Sequence, residues 1–237
     1  MKLELKRSIN NKTYIFALAS CVLSFILGYI LLISIDKLET VPLNDFWFSV
    51  YTVYTQFGFL IFPVIVAFVY NIDYREKNIL FYKTLGVNAI NYYLSKLVVI
   101  ILWFSVGTLG SLFITSILYQ DFSNFLITFL HFESVLIYII LISSIFAFIL
   151  KNLLVAFISN LFLWILGIVL ATTNKVFEYL CYFDASLIRH ENFEKFLKTG
   201  DLSYISVFND WIYILAVFVI ILFAVTISKK RWEKNGI

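Results

Sequence analysis

The chain has 237 residues, of which 62% are hydrophobic and only 14% charged, and its formal net charge is +3. A soluble domain carries roughly a quarter charged residues, and a core of this size cannot hide such an apolar excess, so a water-soluble enzyme or a nucleic-acid binder is excluded. Lipid is the expected solvent, and two cysteines, Cys21 and Cys181, are too few for a disulfide framework or a thiolate metal centre.

The amino terminus, Lys2–Lys12, alternates Leu3, Leu5 and Ile9 with Lys and Arg. Leu5 and Ile9 share a helical face, so this segment reads as a short amphipathic helix lying in the inner membrane interface. The first apolar run, 13–35, is long enough to cross a bilayer, and Asp36-Lys37 follows it rather than a small-residue cleavage site. A second span is expected over 46–70, with a kink at Pro63 and Gln56 as its most polar side chain.

Between the second and third spans lies NIDYREKNILFYKTLGVNAINY. Arg75–Leu85 reads as an amphipathic helix carrying Ile79, Tyr82 and Leu85 at helical spacing beside Arg75, Glu76, Lys77 and Lys83. Gly86 suits its C-terminal stop and Asn88 the N-cap of the next span. A connection this long is more than a linker between two helices needs, and it reads as a lever.

The third span is expected over 93–119. The stretch 134–172 holds one charge, Lys151, and at ~1.5 Å per residue it is about twice a membrane's hydrocarbon thickness. It therefore divides at Lys151-Asn152 into spans 134–150 and 152–172. The loop 173–210 contains an apolar stretch too short to span, Val176–Phe183. After it comes a second short helix capped by Asp184, in which Arg189, Phe193, Phe196 and Leu197 follow helical spacing and Gly200 ends the run. The sixth span is expected over 211–228. The expected fold is all-α: one transmembrane domain over residues 1–237, with six spans.

With both termini inside, the inner segments hold 13 of the 18 basic residues and four acids, while the outer loops hold five basic residues and 11 acids. The positive-inside rule selects that orientation and places the protein in a cell membrane with both termini cytoplasmic. No ionisable residue is expected near the middle of a span, and His131 and His190 are expected at the outer surface. Glu133 lies two residues from His131, which is a weak metal signal without further ligands. No catalytic constellation, metal set or phosphate-binding glycine loop is visible, so no cofactor is expected on this chain.

Six spans, an inner amphipathic start, the lever and a helical loop before the last span resemble an ABC-2 type transporter permease. The motif lies in Glu76, Leu85-Gly86-Val87-Asn88 and Lys96, with Gly86 where that family more often has Pro. Among such permeases, chains of this length resemble the subunits that export antimicrobial or cytolytic peptides, including lantibiotic-immunity, bacitracin-type and phenol-soluble-modulin systems. The resemblance implies a half-transporter: two permease chains, identical or paired with a sister, on a dimer of cytosolic ABC ATPase subunits that bind ATP and magnesium. Arg75, Glu76, Lys77, Ile79, Leu80, Tyr82 and Lys83 would then contact the ATPase. An acidic, aromatic outer face built from Glu178, Asp184, Glu191, Glu194, Phe193 and Phe196 would meet a cationic amphipathic peptide. Export of another hydrophobic substrate, a secondary carrier or channel, and a membrane-bound enzyme are the alternatives.

Overall fold

The computed structural model describes residues 2–37 and 39–235. Eleven α-helices follow one another: α1 (Lys2–Asn10), α2 (Thr13–Ser34), α3 (Leu43–Gln56), α4 (Gly58–Arg75), α5 (Asn78–Thr84), α6 (Ala89–Tyr119), α7 (Phe125–Ile149), α8 (Leu153–Ala171), α9 (Ile188–Thr199), α10 (Val207–Ile227) and α11 (Lys229–Asn235). Short 3-10 turns at Lys175–Leu180 and Leu202–Tyr204 flank α9, and no strand occurs among the described residues. Among the described residues six helices are long and apolar enough to cross a membrane: α2, α4, α6, α7, α8 and α10.

The second span departs from the expected single helix. It is two helices, α3 and α4, with the joint at Phe57 rather than a kink at Pro63, which lies inside α4. Proline cannot complete the hydrogen bond to the carbonyl one turn before it, and the chain opens upstream of that turn. Gly58 stands at the joint, where an added Cβ would come to 3.0 Å from Ile139 Cδ1 on α7. The fourth span also begins earlier than expected, at Phe125, because the segment before Ser134 continues the same helix.

α7 is the most buried of the six and forms the axis of the bundle, packed against α3, α4, α6, α8 and α10. α8 and α10 are peripheral, and Leu154, Ile158, Phe162, Ile165 and Val169 of α8 face outward. The expected hairpin is present: Asn152 Oδ1 accepts from the Leu154 and Val155 N–H groups and starts α8 directly after Lys151. The bundle has two ends. The terminal face carries α1, α5, α11 and the Lys151 hairpin; the far face carries α9 and both 3-10 turns.

Candidate functional site: the lever and its ion cluster

α1 forms as expected, but the face it turns to the bundle is its polar one. Glu4 is buried, while Leu3 and Ile9 point outward. The groups that Glu4 and Arg7 meet come from α4, α5 and α6. Tyr82 Oη donates to Glu4, and Arg7 donates to Tyr82 Oη at 2.9 Å and pairs with Asp73. Lys96 Nζ lies 2.7 Å from Asp73 Oδ2 and 3.6 Å from Glu4 Oε2, and it donates to the Val69 carbonyl at 3.3 Å. Tyr92 Oη and Asn78 Nδ2 also donate to the Asp73 carboxylate, at 2.9 Å and 3.2 Å. Two buried acids therefore face two bases, the exposed Glu76 reaches Arg7 from the rim at 3.9 Å, and the hydroxyls and amide fill the remaining lone pairs, which is what a buried charge cluster requires.

The electrostatics on α1 and α5 follow from this packing. Burial works against the Arg7 charge, yet Asp73 and Tyr82 hold the guanidinium above its ordinary value. Burial, together with the bond to Glu4, holds the Tyr82 phenol above its usual range, so it acts as a fixed donor. α11 adds a cover: Trp232 packs on Tyr92 at 5.3 Å, and Lys83 Nζ donates to the Glu233 carbonyl at 3.4 Å. Trp103 of α6 donates to Ser8 Oγ at 2.9 Å, which fixes the other end of α1.

The lever is shorter than the sequence suggests. Arg75 is the last residue of α4, Glu76 its C-cap, and Lys77 a left-handed linker at φ 55°, so the helix proper starts at Asn78. Arg75 and Glu76 are exposed and 4.0 Å apart. Ile79 faces inward, completely buried, and Tyr82 is held in the cluster. The outward surface is carried by Leu80, Phe81 and Leu85, which are 49%, 62% and 54% exposed. Gly86, at φ 74°, supplies the left-handed stop, and Asn88 Oδ1 accepts from the Asn91 N–H at 2.7 Å as the N-cap of α6. A groove of about 470 Å³ runs between α1 and α5, bordered by Leu3, Lys6, Asn10, Phe81 and Leu85.

The far face departs from expectation more. His131 is buried within α7 rather than solvated, stacked on Tyr51 and Phe193 with Nδ1 3.1 Å from Asp210 Oδ2. Glu133 is also inside the bundle, 5% exposed, and accepts from Ser105 Oγ at 2.7 Å; the absence of ionisable groups within spans is thus corrected. Both were hidden because α7 continues past Ser134 toward the far face. His190 is buried against Phe48 and bonds Thr52 Oγ1 at 2.9 Å, and burial pulls its pKa down to about 4. Gly200 ends α9 as expected, whereas the α9 N-cap is Leu187 and not Asp184.

The six residues expected at the substrate surface do not form one surface. Phe193 and Phe196 are fully buried. Asp184 is buried and fastens the loop by accepting from Gln56 at 3.2 Å and Trp164 at 3.1 Å. Glu194 pairs with Lys198, Glu191 is exposed, and Glu178 borders two hollows near Arg189. Sequence reasoning missed Glu4, Arg7, Asp73, Tyr92, Asp210 and His131 as partners; the Glu4/Arg7 spacing, which puts both on one face of α1, was the available signal.

Five membrane-length helices and the buried axis α7, with a short keyed lever on one face, define a polytopic membrane protein. The sequence profile of the peptide export permease protein YydJ family matches residues 1–237, and the chain belongs to that family. The probable peptide export permease protein YydJ of Bacillus subtilis (strain 168) is 38% identical over 243 residues, covering 100% of both chains. This membership is consistent with the resemblance to ABC-2 type permeases. No solved structure matches the chain.

Proposed function

We propose that this chain is the membrane-spanning subunit of an exporter of amphipathic peptides, driven by a separate ATPase. Peptide export is supported by the family and by the name of the Bacillus subtilis relative. The observation that carries the ATP-driven part is the lever: an outward apolar knob, Leu80, Phe81 and Leu85, whose inward side is keyed through Tyr82 and Asn78 to the charge cluster of α1, α4 and α6. A force on α5 therefore reaches three further elements at once rather than dissipating in a loop. The terminal face is the cytosolic one on this reading, since it gathers the basic residues. The protein sits in the cell membrane, and two permease chains, copies or sisters, mount on a dimer of ATPase subunits holding ATP and magnesium. Arg75, Glu76, Lys77 and Lys83 form a charged rim around the apolar knob.

The acidic outer face contributes less than its composition suggests, because Asp184 is buried and Glu194 is paired. Amphipathic character, not net charge, is the substrate property proposed. The test is reconstitution of the chain with the ATPase that co-purifies with it. Proteoliposomes should move an amphipathic peptide across the membrane only with ATP, and the peptide should stimulate hydrolysis. Failure of any ATPase to co-purify, or movement of peptide without ATP, would overturn the proposal.

A further inference from the structure

Among the described residues five acids are buried, and four of them have both carboxylate oxygens engaged. Glu4 is met by Tyr82 and Lys96, Asp73 by Arg7, Lys96, Tyr92 and Asn78, Asp184 by Gln56, Trp164 and Ser186, and Asp210 by Arg189, Tyr182 and His131. Glu133 is the exception. It is 5% exposed, its Oε2 accepts from Ser105 Oγ at 2.7 Å, and its Oε1 has no partner. The one cation of α6, Lys96, lies nine residues from Ser105, about 14 Å along the axis, and is already engaged by Asp73 and Glu4. One neutral hydroxyl does not offset the burial of a carboxylate, and an ionisable group within a span calls for a partner. The missing group is a donor, and a cationic donor answers the charge as well.

Depth narrows the source of that cation. α7 has 25 residues and is about 38 Å long, so it overshoots a hydrocarbon core of about 30 Å by only a few ångström at each end. Glu133 stands eight residues past Phe125, about 12 Å along the axis, which puts it inside the hydrocarbon and below the reach of a lipid headgroup amine. The flanks of the two helices leave a way in. Ser105 is half-buried, and the residues one turn to either side of it on α6, Leu102 and Leu109, are 39% and 41% exposed. On α7 the corresponding neighbours of Glu133, Leu130 and Ile137, are also half-buried rather than closed. The pair Ser105–Glu133 therefore lies just behind a seam between α6 and α7 that reaches the lipid side of the bundle.

We infer that Glu133 is the docking point for a lysine ammonium of the exported peptide, entering sideways from the lipid through this seam; this rests on the peptide-export reading above. A single open carboxylate oxygen suits a compact point charge on a slim four-carbon stem better than the broad planar fork of an arginine. An amphipathic peptide lying in the membrane keeps such stems along its apolar face and turns their heads toward any polar partner within reach. The site reads one cation at one place, which is compatible with an outer face whose net charge does little.

The test uses the purified full-length chain in phosphatidylcholine nanodiscs and a labelled Leu/Lys amphipathic peptide in two forms, with free lysines and with every lysine carbamylated, which keeps the stem and removes the charge. The parent should bind the lysine form about tenfold more tightly. Glu133→Gln, whose amide oxygen still accepts from Ser105, should erase that preference by weakening the lysine form alone, without lowering the melting temperature. Ser105→Leu leaves the carboxylate in place and fills the seam, and it should erase the preference as well. Glu191→Gln, on an exposed far-face position, should leave the preference intact. Equal affinity of the parent for both forms means that Glu133 holds a proton only, and overturns the site. A preference that survives in whichever of Glu133→Gln and Ser105→Leu folds, or that Glu191→Gln removes, overturns it too. If the parent shows no preference and the ATPase-bearing complex still exports the lysine form with ATP, only this inference falls. If the complex exports neither form, the export reading falls with it.

Discussion

Lys96 Nζ on α6 lies 2.7 Å from Asp73 Oδ2 on α4, and both side chains are closed to solvent. Asp73 also holds Arg7 and Lys96 also reaches Glu4, so the pair is the centre of the four-charge cluster and locks α4 to α6. Removing one partner from a buried pair costs about 3–5 kcal/mol, whereas replacing both by apolar groups of similar size is often neutral. Lys96→Met alone should therefore lower the melting temperature in detergent strongly, and Lys96→Met with Asp73→Asn, which removes one base and one acid and keeps Arg7 and Glu4 joined through the Tyr82 hydroxyl, should recover part of the loss. A single variant that melts like the parent would remove the lock.

The lever divides into a structural side and a contact side, and the two should separate experimentally. Ile79→Ala removes completely buried methyl groups and should cost about 2–5 kcal/mol of stability. Phe81→Ala and Leu80→Ser change exposed positions and should leave stability within about 0.5 kcal/mol. Those two should instead abolish peptide-stimulated ATPase activity and weaken ATPase capture. Normal stimulation in the Phe81→Ala, Leu80→Ser double variant would place the contact elsewhere.

Hydropathy was enough to count six spans because a bilayer imposes length and apolarity directly, and caps such as Asn88 and Asn152 obey local rules, but it did not show the break at Phe57 or the early start at Phe125. The partners of those spans were not legible. Asp73 reads as an ordinary charged flank and Lys96 as one residue of the family motif, and only the fold brings Glu4 and Arg7 across to them. His131 and Glu133 escaped for another reason: the helix end was drawn where the charges began, yet α7 runs through them. The same error made Phe193 and Phe196 look like a surface, since an apolar face of a loop helix can be covered by its own bundle.

Thiol chemistry tests the topology. Cys21 sits within α2, and Cys181, although on the far loop, is 1% exposed with its pKa pushed up to about 11 by burial. An impermeant maleimide applied to intact cells should label neither cysteine, since a buried thiol is unreactive. In a chain lacking both, Leu202→Cys, on an exposed far-face position, should label from outside, and Leu80→Cys should label only after permeabilisation. The reverse pattern would invert the orientation.

Acid should loosen the far face through His190. Burial holds its pKa near 4, against an ordinary value of 6.5, so the folded chain keeps the ring neutral while the unfolded chain takes up a proton as the pH falls through 6.5. Glu194 and Asp184 pull the other way but do not offset the burial, and His131 adds to it. The sign is therefore a loss of stability on acidification, starting below about pH 6.5 and complete near pH 4, of up to about 3 kcal/mol. Carboxylates that lose ion pairs titrate in the lower part of that window, so the measurement must be differential. His190→Gln can keep a polar contact to Thr52 without the titration, and its melting temperature should fall less than the parent's between pH 6.5 and 5. Parallel curves for the two proteins across that interval would show that His190 is not the group responsible.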